Sequence, residues 1–89
     1  MSKMSELLKS LRKISAELRK TEKIESAAFF SSRGEIIGDP GSAPRAVKDV
    51  IQELVTCRAM AQYADFSLTE ERLLEMVVSD AMACLPGDR

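Results

Sequence analysis

The sequence predicts a small α+β domain of order α-β-β-α-α, with one β-hairpin packed against three helices and the second and third helices forming an antiparallel pair. Three observations carry that prediction. Apolar side chains recur at intervals of three and four both before position 23 and after position 43, the mark of amphipathic helices. Between them, Ile24 to Ser31 and Glu35 to Gly38 flank a Ser32-Arg33-Gly34 turn and read as two strands. No later segment alternates well enough to supply a third strand.

The first helix is expected over about 5–22. Its stripe is Met4, Leu7, Leu11, Ile14 and Leu18, with Ser2 or Ser5 as a cap and the polar run Arg19 to Lys23 leading out. The hairpin is expected over 24–38. Alternation places Phe30 on one face and Phe29 on the other, and Gly34 is assigned the positive φ of the turn.

The loop Asp39 to Pro44 then opens a second helix over about 43–64, with Ser42 as cap and Pro44 in its first turn. Val47, Val50, Ile51, Leu54, Cys57, Ala61 and Ala64 form its main stripe. Val55, Ala59, Met60 and Tyr63 face away from that stripe, so its second half is apolar nearly all round, the pattern of an element covered on two sides. Ser67 with Glu70, or Thr69 with Leu68 packing on Leu73, supplies the start signal of a third helix over about 68–85, which Pro86-Gly87 ends. The 89 residues read as one domain, with no internal repeat.

This reading implies a second protein surface. A lone two-stranded ribbon leaves its bonding edges open, and small chains gain stability by association. The expected assembly is a homodimer, with Phe29, Phe30, Val55, Ala59, Met60 and Tyr63 as the self-association or partner interface.

Composition excludes several chemistries. Histidine is absent, which removes the usual general base near neutral pH and the commonest metal ligand. Cys57 and Cys84 are expected as reduced packing thiols; no metal site and no cofactor is expected, and the chain is read as non-enzymatic. Glu70, Glu71 and Glu75 are read as complements to a helix dipole rather than as an acid-base pair. The loop Gly38 to Ser42 lacks the glycine and lysine spacing of a phosphate-binding loop. No apolar run reaches the ~18 residues of a membrane span, and the start lacks a secretory stretch, so a cytoplasmic location is expected.

Charge is balanced overall, at 13 basic and 14 acidic residues, but residues 1–24 hold seven basic and three acidic side chains. Lys9, Arg12, Lys13, Arg19, Lys20 and Lys23 form a basic ridge opposite the apolar stripe of the first helix. Local pairing of Lys13 and Lys20 with Glu17 is the plain reading of that ridge. The functional expectation is therefore a non-catalytic protein-interaction module, a regulator, adaptor or inhibitor. A nucleic-acid-associated regulator using the ridge is the alternative.

The stretch Ala27-Ala28-Phe29-Phe30-Ser31-Ser32-Arg33-Gly34-Glu35-Ile36-Ile37-Gly38, with the helix before it, resembles the opening helix and hairpin of roadblock-type regulatory domains over about a third of the chain. That resemblance implies further strands after the second helix. Here a helix follows instead, so no function is carried across.

Overall fold

In the computed structural model, which describes residues 3–85, the chain is all helical. Five α-helices follow one another: α1 Lys3–Lys20, α2 Ile24–Gly38, α3 Pro44–Val55, α4 Met60–Tyr63 and α5 Leu68–Cys84, with a 3₁₀ turn, Cys57–Ala59, between α3 and α4. α1 packs on both α2 and α5, and α3 closes the arrangement by packing on α5 and α2. The core lies between them, built on Leu7, Leu11, Ile14 and Leu18 of α1, Phe30 of α2, Leu54 of α3 and Val77, Val78 and Ala81 of α5.

The α+β expectation is overturned here, and with it the hairpin and its open edges. There is no strand among the described residues; Ile24 to Gly38 is one helix. Ala27, Phe30 and Ile37 lie at steps of three and seven, which put them on one helical face, and all three are buried there. A helix pairs its interior backbone groups within itself, whereas a two-stranded ribbon leaves two edges unpaired, and the described residues offer no third strand. Gly34 sits inside α2 at an ordinary helical φ, so it makes no turn. The resemblance to a roadblock hairpin ends at the same residues.

A three-residue link, Thr21 to Lys23, reverses the chain between α1 and α2. The Lys23 amide donates to the Leu18 carbonyl at 2.8 Å and the Glu22 amide to the Arg19 carbonyl at 3.1 Å, the paired bonds of a Schellman stop. Glu22 holds the left-handed position with φ 63°. The contacts run in opposite senses along the two helices, Arg19 with Ser31, Leu11 against Gly34 and Leu8 against Gly38, so α1 and α2 are antiparallel.

The single helix expected over 43–64 is broken after Val55. Ile51, Leu54, Cys57 and Met60 are all buried and stand three apart, a spacing that drifts around an α-helix but lines up when the chain tightens to three residues per turn. The 3₁₀ turn keeps Cys57 and Met60 in the core. Thr56 closes α3 with its hydroxyl donating back to the Gln52 and Glu53 carbonyls. Ser42 does not cap α3: Ala43 is the N-cap, Pro44 opens the helix, and the Ser42 hydroxyl instead donates to the Ile36 carbonyl of α2 at 2.7 Å.

α5 begins where its capping box sits. The Glu70 amide donates to Ser67 Oγ at 3.2 Å and the Ser67 amide to Glu70 Oε1 at 2.8 Å. Ser5 lies within α1, while Ser2 and the Pro86-Gly87 stop fall outside the described residues.

Candidate functional site

The residues expected to form an interface do not share one exposed face. Phe30 is fully buried, its ring meeting Phe29 edge to face with centroids 5.1 Å apart. Phe29 is half-buried beneath Arg33, whose guanidinium carbon stands 4.1 Å from the ring centroid. Met60 is buried in the chain's own core, Val55 is half-buried against that core, and Ala59 is exposed. Of Tyr63, only the backbone is described.

The basic ridge is divided by its partners. Lys9 pairs with Glu6 at 4.0 Å and Lys20 with Glu17 at 3.6 Å, both near the surface. Lys23 turns inward, its ammonium 3.0 Å from the fully buried carboxylate of Glu70. Lys13 makes no ion pair among the described residues. Arg12 and Arg19 leave the ridge altogether and line the groove between α1 and α2.

Glu70 is the centre of a structural cluster. Thr21 Oγ1 donates to its Oε2 at 2.5 Å, alongside the Ser67 amide and Lys23. Burial pushes its pKa up, but the Thr21 hydroxyl, the Ser67 amide and the Lys23 charge outweigh burial and leave the carboxyl below its ordinary value. The capping role accounts for Glu70, and Glu75 pairs with Arg58 at 3.1 Å, so neither is free for acid-base work.

Neither thiol is activated. Burial pushes Cys57 up to about 11, and its Sγ donates to the Leu54 carbonyl at 3.0 Å. Burial, helped by Asp80, also raises Cys84. Both cysteines are free. Among the described residues, no three of His, Cys, Asp or Glu gather closely enough to hold a metal ion.

The groove between α1 and α2 has a volume of about 730 Å³. Half-buried Leu8 is the large apolar side chain this groove exposes, with Leu11 and Phe30 almost fully covered beneath it, and Ser15, Ala16, Gly34 and Gly38 keep it wide because their side chains are small or absent. Arg12 and Arg19 stand on the α1 wall, Glu35 and Asp39 on the α2 side. None of these four charges makes an ion pair among the described residues; Arg19 donates to Ser31 Oγ at 3.1 Å and Asp39 accepts from the Gly41 amide. Ser15, only 5% exposed, carries a buried hydroxyl with no hydrogen-bond partner.

Sequence reasoning missed this groove because it assigned α2 to strands. The signal was present in the small residues Ser31, Gly34 and Gly38 at helical spacing, Ser31 meeting Arg19 and the two glycines meeting Leu11 and Leu8. No helix of the described residues is long and apolar enough to cross a membrane. No protein-family model, no curated protein and no solved structure matches this chain.

Proposed function

We propose that the chain is a non-catalytic protein-interaction module, a regulator, adaptor or inhibitor, that binds through the groove between α1 and α2. One observation carries this reading: a groove flanked by two arginines on one side and two carboxylates on the other, charges that make no ion pair among the described residues. Such rim charges select and orient a partner. The chain has no histidine and neither cysteine lines this groove, which supports a non-catalytic reading of the face. Two free cysteines fit a reducing, cytoplasmic setting.

The basic ridge supports a nucleic-acid role less well, since Lys9, Lys20 and Lys23 are each engaged by a glutamate. A photo-crosslinking residue placed at Ala16, in the groove, is expected to trap a protein in cells. The same probe at exposed Ser79 on α5 is expected to trap none. Equal yields from the two sites would end the proposal.

A further inference from the structure

Resting on the reading of this groove as a protein-binding face, we infer that its occupant is a second copy of the chain, paired about a two-fold axis that runs along the groove. The charge distribution points there. A groove of one sign would call for a partner of the other sign, whereas this one is basic on α1 and acidic on α2. Rotation by half a turn about an axis parallel to both helices lays α1 of each protomer over α2 of its partner, so the wall that carries Arg12 meets the wall that carries Glu35. Self-complementarity of this kind is what an isologous interface requires.

The register fits as well. A methyl group on Gly34 would lie 3.7 Å from Leu11 Cδ1, so those residues stand at one level of the antiparallel pair. Because the helices are antiparallel, Arg12 and Glu35 each step one residue away from that level in opposite directions, which leaves them about 3 Å apart in height, within the reach of an arginine side chain. Rotation about the groove axis keeps height unchanged and brings Arg12 opposite the partner's Glu35, twice per dimer. Because α1 and α2 are antiparallel, each helix also gains an antiparallel neighbour across the interface, the arrangement of an up-down four-helix bundle.

Ser15, Ala16, Gly34 and Gly38 have little side chain to hold two such layers apart, so the backbones can approach closely.

Sedimentation equilibrium of the full chain tests the inference. The wild type is expected to be a dimer at micromolar concentration. Arg12→Glu and Glu35→Arg are each expected to weaken dimerisation by about a hundredfold, because each sets like charges opposite one another twice. An equimolar mixture of the two variants, and the double variant R12E/E35R, are both expected to restore the dimer. Circular dichroism on each variant checks that the helices persist.

A wild type that stays monomeric into the submillimolar range, or a dimer indifferent to both single reversals, would overturn the pairing. The crosslinking experiment then separates the two ideas. Protein trapped at Ala16 with a monomeric chain keeps the groove reading and loses self-pairing, and no trapping together with a monomer removes both.

Discussion

The Lys23 ammonium lies 3.0 Å from Glu70 Oε1, and this contact ties the turn between α1 and α2 to the first turn of α5, 47 positions further along the chain. The carboxylate is fully buried and accepts from Thr21 and the Ser67 amide as well, so one side chain closes a capping box and fastens two distant ends.

This arrangement makes stability depend on acid. The Glu70 pKa is lower in the folded chain than in the unfolded one, so the unfolded state binds more protons as pH falls. The contribution is complete above the unfolded value of about 4.3 and is lost as pH drops through the folded value. Urea denaturation between neutral pH and pH ~3 is expected to show a falling midpoint, and Glu70→Gln is expected to flatten that slope. Glu70→Ala is expected to cost about 2–4 kcal/mol, because it removes the cap and leaves Thr21 and Lys23 without their shared acceptor. An unchanged midpoint in Glu70→Ala would contradict the cluster's role.

Gly34→Ala separates a helix from a turn by the sign of its effect. The added methyl would make ordinary contacts of 3.7 and 3.8 Å with Leu11, and the backbone is helical. Alanine is therefore expected to stabilise the chain by about 0.5–1 kcal/mol, read as a higher melting temperature. A loss of comparable size would mean that position 34 has a positive φ, as a hairpin requires.

Glu22 holds φ 63° at the end of α1, where a side chain is strained and glycine is not. Glu22→Gly is expected to raise stability by about 0.5–1 kcal/mol, and Glu22→Val to lower it. Paired thermal melts settle the order; a more stable valine variant would contradict the Schellman stop.

Cys57 is buried and its pKa is pushed up to about 11, so at mildly alkaline pH it remains a thiol. Reaction with a disulfide reagent is expected to be far slower in the folded chain than in urea, since the thiolate is the reacting species. Measuring the single-cysteine variant Cys84→Ser isolates Cys57. Equal rates folded and unfolded would place Cys57 at the surface instead.

Strong local patterns were legible in the sequence, and they are the ones the structure uses. The stripe Leu7, Leu11, Ile14 and Leu18 is the buried face of α1, and Ser67 with Glu70 starts α5, because a three-and-four repeat and a capping box each act within a few residues. Residues 24–38 carried no such dominant period. Two adjacent phenylalanines and an Arg-Gly pair satisfy alternation about as well as a helix, and neighbours decided the matter: Leu8 and Leu11 of α1 fit against Gly38 and Gly34. Packing likewise broke the long second helix at Thr56, so that Cys57 and Met60 stay inside, and it turned Lys23 away from the basic ridge toward Glu70. Local hydrogen bonding and apolar periodicity were thus written in the chain order. Which face is covered, and by what, came only from the other helices, since burial is a property of the assembled layers and not of any one segment.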